Sequence, residues 1–367
     1  MLWLLVPYRR RITLKAPDDD AEAEPQRDGE TKLPALSVIV YAAFNADDLE
    51  QMLPLVLRQE YPGEFEVIVI NDGSSLDLAD VVKRLQNEYP NLRHTFVPEE
   101  AHNLSRKKLA ISLGIKAAKH DYIVLTTAGC KPASLQWLRL MGRHFAAGKQ
   151  VVLGWSRISG LRKAMPAFDQ IATGATWLSA ALGRHPYRGT GNNLAYARKL
   201  FFDAKGFSRS MNMHNGDDDL FVNQIVTPDN TAVELSPGAR MSVRYYDPLK
   251  AWREMKMNHA FTARFLPKGA RIFMGFSTIM MWVWIAAIAV AAVFSIPNLL
   301  PSCLLILLIP ALWIPLTKSW QTTGRTLGVR LAGALLWWQI LWRWTADLKA
   351  RFLCNRGERR NYTWWQK

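Results

Sequence analysis

Residues 36–127 predict an α/β fold, a mostly parallel sheet with helices on both faces. Two observations predict it. The runs LSVIVY (36–41), FEVIVIND (65–72) and DYIVLTT (121–127) are rich in β-branched residues and almost unbroken in apolarity, as strands covered on both faces are. Between them apolar residues recur at helical spacing, and strands that alternate with helices of this length lie parallel.

Taken in order, LSVIVY is the first strand. Leu49, Met52, Leu53 and Val56 then mark a helix at i, i+3, i+4 and i+7, with Pro54 awkwardly inside it. FEVIVIND is the second strand, and Leu78, Val81, Val82 and Leu85 mark the second helix. LRHTFVP (92–98) is a third strand, SRKKLAISLGIKAAK (105–119) a helix with Leu109, Leu113 and Ala117 on one face, and DYIVLTT the fourth strand. Ligands of such sheets bind beyond the carboxyl ends of the strands. Those ends are Ala42-Ala43-Phe44-Asn45, Asn71-Asp72-Gly73-Ser74 and Thr126-Thr127-Ala128-Gly129.

The flanks differ in composition. MLWLLVP is too short an apolar start to span a bilayer and reads as a membrane-proximal stub; the polar, Pro-bearing stretch to Pro34 reads as a disordered linker. Two spans are expected over 272–317, IFMGFSTIMMWVWIAAIAVAAVF and SCLLILLIPALWIPL, separated by a Pro-containing turn. The Trp-rich stretch 326–342, with Arg330 and Gln339, fits a third span or an interfacial helix. The expected layout is a stub and linker over 1–34, an α/β domain over 35–247, a basic interfacial helix over 248–271, two spans over 272–317, and a last helix with a basic tail over 318–367. Positive charge in the tail places it, and with two crossings the large domain, in the cytoplasm.

The net charge is +15, a balance that attracts polyanions. Lys250, Arg253, Lys256, Arg264, Lys268 and Arg271 precede the first expected span, so anionic headgroups account for much of it. No nucleic-acid motif accompanies the charge, and no nucleic-acid partner is expected. Cys130, Cys303 and Cys354 are too dispersed for a disulfide framework or a metal knuckle. Oligomeric state is not readable from these features.

Some residue groups point to chemistry. Asp72, at a strand end, suits hydrogen bonding to a base or ribose, although Asn-Asp-Gly-Ser is also an ordinary turn. Asp18, Asp19 and Asp20 lie in the polar linker and read as solvated. Asp217, Asp218 and Asp219 stand at a helix start in MHNGDDDLFVNQIV, where they serve either as caps or as a fixed general base for a hydroxyl. Gly189 and Gly191 in RGTGNNLAYARKLF allow close backbone approach to a ligand.

The order VIVYAAFNADDLEQMLPLVLRQEYP, EVIVINDGSS, SRKKLAISLGIKAA, YIVLTTAGCKP, GTGNNLAYARKLFFDAKGF and GDDDLF resembles the family 2 glycosyltransferases of GT-A fold, in their membrane-attached bacterial branch. The resemblance covers roughly residues 35–265. It implies an inverting transfer of one sugar from a nucleotide-sugar donor to a lipid-linked or saccharide acceptor, at the bacterial inner membrane, in polysaccharide or glycolipid assembly. By position, Ala43, Asn45, Asn71, Asp72, Lys107, Thr127, Gly129 and Lys131 would meet the donor. Gly191, Asn192 and Asn193 would lie on the acceptor side. Asp217 or Asp218 would be the base, with Asp219 in support.

Two departures qualify this. The family's metal-binding Asp-x-Asp falls on Thr127-Ala128-Gly129, so the use of Mg²⁺ or Mn²⁺ is open. Either Lys107, Lys131 or Arg106 balances the diphosphate, or a metal binds through other groups, or the chain is a non-catalytic scaffold or nucleotide-sugar sensor. The processive members' Gln-x-x-Arg-Trp is replaced by Met255-x-x-Asn258-His259, which implies a non-processive enzyme. Met257, Ala260, Phe261 and Phe265 are there expected to face lipid or the first span.

Overall fold

A computed structural model describes residues 33–43, 46–72, 77–98, 104–272, 314–315, 317–331, 336–356 and 362, with isolated positions between 274 and 293. The strands are β1 (Leu36–Ala42), β2 (Phe65–Asn71), β3 (Leu92–Phe96), β4 (Tyr122–Thr127), β5 (Cys130–Pro132), β6 (Val151–Leu153), β7 (Ser156–Ile158), β8 (Leu194–Ala197), β9 (Thr231–Val233) and β10 (Met241–Val243). The helices are α1 (Ala46–Leu57), α2 (Asp77–Gln86), α3 (Arg106–Ala117), α4 (Trp137–Ala146), α5 (Ala164–Leu182), α6 (Arg198–Asp203), α7 (Asp219–Ile225), α8 (Pro248–Thr262) and α9 (Leu336–Arg356).

Seven strands form one sheet in the order β3-β2-β1-β4-β8-β6-β9, and β5-β10-β7 form a second. In the larger sheet β8 alone runs against its neighbours, β4 and β6; the other pairs are parallel. From β1 the chain winds outward through β2 to β3, then returns to place β4 on β1's other side. The order reverses between β1 and β4, which opens a crevice at their carboxyl ends.

Strand alternation divides the core. Val38, Val40, Val67 and Val69 pack with Leu49 and Leu53 of α1, Val82 of α2 and Trp137 of α4. Ile39, Ile68 and Ile70 face the other way, toward Ile111 and Ile115 of α3 and Phe168 and Ile171 of α5. The buried side of α3 departs from the expected stripe. Ala110, Ile111, Gly114 and Ile115 are its buried apolar positions, together with Lys108, while Leu109, Leu113 and Ala117 are only partly buried. Gly114 permits the contact, since a Cβ there would lie 2.6 Å from Ile70 and 2.8 Å from Ile39. Gly174 does the same for α5, where a Cβ would stand 2.2 Å from the Trp155 ring. The third expected strand, 92–98, ends at Phe96. Pro54 lies within α1, which continues through it.

The C-terminal segments pack on this domain. Asp169, wholly buried on α5, accepts hydrogen bonds from Trp252 Nε1 (2.9 Å) and Lys256 Nζ (2.8 Å) of α8 and from Arg343 Nε (2.9 Å) of α9. Lys256 also pairs with Asp347, and the Trp252 and Trp342 rings stack at 5.6 Å. The expectation that Phe261 faces lipid or the first span is therefore corrected. Lys256 is drawn into a carboxylate, and Phe261 is fully buried beside Met213, Leu220 and Cys354. Phe265 does remain exposed.

The stretch 326–342 is not one helix. A helix over 317–326 is followed by a turn at Gly328, whose φ is +75°, and α9 begins at Leu336. Trp155 Nε1 donates to Leu327 O at 2.9 Å, and Trp320 meets Phe168 edge-on at 4.9 Å, so this segment too is seated on the domain. The two spans expected over 272–317 lie almost wholly outside the described residues, as do the stub and most of the linker, 1–32. Among the described residues no helix is long and apolar enough to cross a membrane.

Candidate active site

Four segments meet beyond the β1–β4 crevice. Tyr41, near the end of β1, donates from its hydroxyl to Asp72 Oδ2 at 2.9 Å. Asp72 follows β2 and is buried; its carbonyl accepts from Arg106 Nε at 3.0 Å, which ties the start of α3 to that strand end. The next residue, Lys107, reaches Asp217 Oδ2 at 2.6 Å. Burial opposes the charge on Lys107, but Asp217 and Asp218 beside it hold its ammonium above the usual lysine range. Burial and the Asp72 carboxylate push the Tyr41 phenol up.

Lys108 is a position beside the site that the motifs did not reveal. It is completely buried, and its ammonium donates to the carbonyls of Ser210 (2.5 Å), Met213 (3.0 Å) and Asn215 (2.7 Å). Burial pushes its pKa down to about 8. The loop it grips leads into Gly216, at φ +97°, where a Cβ would also meet Leu220 at 2.6 Å; only glycine makes this bend without strain.

The bend delivers three carboxylates to three different surroundings. For Asp217, burial alone would raise the pKa, yet Lys107 holds it below the usual carboxylate range. Asp218 caps α7, with Oδ1 accepting from Asp219 N at 2.8 Å and Oδ2 from Gly191 N at 3.3 Å. Burial, then repulsion from Asp217 and Asp219, pushes its pKa up to about 7. Asp219 is buried, accepts from Leu220 N (2.9 Å) and from the Thr262 hydroxyl, and lies 3.4 Å from Arg188 Nη2. Paired in this way, Asp219 positions its neighbours.

A cavity of about 240 Å³ opens over these acids. Its lining residues include Lys107, Asp217, Asp218, Trp155, Trp177, Thr190 and Asn192. Asn258 and His259 of α8 also line it, so the segment that replaces the processive motif belongs to the site. Asn258 accepts from Asn215 Nδ2 at 2.9 Å. Burial, with Arg188 and Lys256 nearby, holds His259 far below its usual pKa and therefore neutral.

Several expected site residues are placed elsewhere. Asn193 is completely buried: its Oδ1 accepts from Trp137 Nε1 (3.0 Å) and its Nδ2 donates to the carbonyls of Trp155 (3.0 Å) and Ala239 (2.8 Å). It ties α4 to the β6–β7 link and to the turn at Ala239 and is not among the residues lining the cavity. Lys131 donates to Gln51 Oε1 at 2.9 Å on an exposed edge and is not among the residues lining the cavity. Asn71 is buried at the end of β2, where its carbonyl accepts from Val97 N at 2.9 Å. Ala43 is a half-buried bend after β1; Phe44, Asn45, Gly73 and Ser74 lie outside the described residues.

The metal that the resemblance brings to Thr127 and Gly129 does not fit them. Thr127 Oγ1 donates to Asn192 Oδ1 at 3.1 Å and touches Cys130 Sγ at 3.0 Å. Gly129 is closed in by the β5–β10 pairing: its carbonyl accepts from Arg244 N at 2.9 Å, and a Cβ would stand 3.0 Å from Arg244 O. Among the described residues no group of three or more His, Cys, Asp or Glu side chains is placed to hold a metal ion. Cys130 packs, and burial raises its thiol pKa.

Residues 37–202 match the family model described as glycosyl transferase family 2. An N-acetylglucosaminyltransferase of Rhizobium meliloti (strain 1021) is 35% identical over 113 residues, which are 30% of this chain. The chain spans about a quarter (26%) of that relative's length. The mannosyltransferase PcManGT from Pyrobaculum calidifontis, solved in complex with GDP-Man and Mn²⁺, superposes with a TM-score of 0.54 at 18% identity, over 95% of this chain and 94% of that one. That likeness is one of fold.

Proposed function

We propose, because residues 37–202 match the model of glycosyl transferase family 2, that the protein transfers one sugar from a nucleotide-sugar donor to an acceptor hydroxyl, with inversion, and that Asp218 is the general base. One observation carries the assignment. Of the adjacent acids at the cavity floor, Asp217 is neutralised by Lys107, whereas Asp218 is held by backbone N–H groups and pushed up to about 7. A base works best with its pKa near the working pH.

In the proposed step the acceptor oxygen attacks the anomeric carbon and passes its proton to Asp218. The bond from that carbon to the donor's diphosphate breaks, and its electron pair leaves with the phosphate oxygen. Tyr41 and Arg106 hold Asp72 at the strand end, where a nucleotide would lie. Thr190, Asn192, Trp155 and Trp177 line the cavity, a mix of polar and aromatic residues that suits a sugar acceptor.

The test is sugar transfer by the full-length protein from a panel of UDP-, GDP- and dTDP-sugars, followed as a function of pH. Activity is expected to rise with pH through a limb near 7 as Asp218 ionises. In Asp217→Asn one of the charges that raises the Asp218 pKa is gone, so the limb moves to lower pH. A limb that stays in place in this variant would refute the assignment. Binding of a nucleotide sugar without turnover at any pH would favour the second reading, a non-catalytic sensor or scaffold, which the absence of carboxylates at Thr127 and Gly129 supports.

We further propose a place at the bacterial inner membrane, with the domain facing the cytoplasm and a lipid-linked or saccharide acceptor serving polysaccharide or glycolipid assembly. No Asp, Glu, Lys or Arg occurs between Arg271 and Lys318, and Lys250, Arg253, Lys268 and Arg271 are exposed just before that stretch. Membranes washed with alkaline carbonate should retain the protein; its release into the wash would sink the proposal.

A further inference from the structure

We infer that the ammonium of Lys107, while it stays paired with Asp217, takes the contact to the donor's diphosphate that a divalent cation would otherwise make, so that nucleotide binding needs no metal. The inference rests on the glycosyltransferase reading and goes beyond it.

Three features support it. First, the two positions where the resemblance puts a metal are built into the protein's own polar framework. Thr127 is engaged with Asn192, and the space around Gly129 is taken by the Arg244 backbone. Second, the cationic residues lining the cavity are Lys107 and Arg157, and Lys107 alone of the two is joined to the acid group. Its Nζ lies 2.6 Å from Asp217 Oδ2, and its side chain remains 31% exposed, so a ligand can reach it. Third, its charge acts on groups from every side of the site: Tyr41 of β1, Cys130 of β5, Asp217, Asp218 and Tyr245. Lys107 thus lies between the end of β2, which its neighbour Arg106 holds, and the acid loop that it grips.

The chemistry of the group suits the task. An ammonium has three N–H donors; the contact with Asp217 uses one and leaves two for diphosphate oxygens. When the bond between the sugar and the diphosphate breaks, the electron pair goes to a phosphate oxygen facing a fixed positive charge. Preorganised cations stabilise such developing charge. Asp217 acts as the positioning residue, since its carboxylate holds the ammonium between the strand end and the base.

The test is calorimetric titration of the full-length protein with UDP, GDP, ADP, CDP and dTDP, in EDTA and again in Mn²⁺. At least one nucleotide should bind in EDTA with an affinity within about twofold of that in Mn²⁺. Replacing Lys107 by Met should weaken its binding about tenfold or more, the loss of charge-assisted hydrogen bonds, and Lys107→Arg should restore most of it. Because Lys107→Met alone strands a buried carboxylate, the double variant Lys107→Met/Asp217→Asn keeps the site neutral and should show the same weakened binding in a folded protein. Binding that requires Mn²⁺, or that is unchanged in the double variant, overturns the inference and leaves the glycosyltransferase reading standing. A folded protein that binds none of the five nucleotides in either buffer overturns both.

Discussion

Asp218→Asn is expected to lower kcat by about 10²- to 10⁴-fold, the usual contribution of a positioned general base, with nucleotide affinity changed by no more than about threefold. The loss should appear in kcat and kcat/KM together, because the interaction removed exists only once the acceptor's proton is in flight. Stability should not follow activity downward. The folded-state pKa of Asp218 is raised to about 7 from an ordinary value of 3.8. Its ionisation therefore works against the fold, increasingly as pH rises from about 4 to 7. A neutral amide escapes that penalty but can accept from only one of the two backbone N–H groups, and its NH₂ would face the longer contact, Gly191 N at 3.3 Å, so above pH 7 the variant should melt within a few degrees of the parent. Slow, stable protein is the signature of a residue kept for chemistry; a variant that turns over at the parental rate would remove Asp218 from the mechanism.

Asp169→Asn is expected to be the most destabilising of the substitutions considered, by about 3 kcal/mol, the low end for breaking a buried ion pair from one side. Three donors converge on this wholly buried carboxylate, from Trp252, Lys256 and Arg343. An amide would turn an N–H toward at least one of them. Lys256 keeps Asp347 as a partner, and Arg343 is partly exposed, so the upper end of the range is not expected. The melting temperature should fall on the order of 10 °C, with α9 cleaved early in limited proteolysis. A shift under about 2 °C, with α9 as resistant as in the parent, would show that the helix is held by other contacts.

What the sequence conveyed follows from how its signals arise. Strands buried on both faces carry unbroken apolar runs, so β1, β2 and β4 were readable to within a residue or two. β5, β6, β7, β9 and β10 have three residues each, too few to show any period. Lys108 was hidden because a lysine is normally a surface residue; the three carbonyls that admit it come from 102 to 107 positions away. For the same reason the buried side of α3 was misjudged. The acidic triplet was visible as a unit, but the division of roles within it depends on Lys107, Gly191 and Arg188, which lie at long range. Asn193 looked like its neighbour Asn192, and only the surroundings separate a buried brace from a cavity wall. The basic run before residue 272 suggested lipid, yet Lys256 found Asp169 first.

Two consecutive lysines at the start of α3 have a mechanical consequence. Lys107 takes hold of the Asp217 side chain while Lys108 holds the main chain just before it. A single attachment would leave the acid loop free to pivot; attachment at two points fixes both its distance and its rotation relative to the helix. In the proposed transfer the geometry of proton removal would therefore be set from the far side of the crevice, and whatever tilts α3 would carry Asp218 along with it.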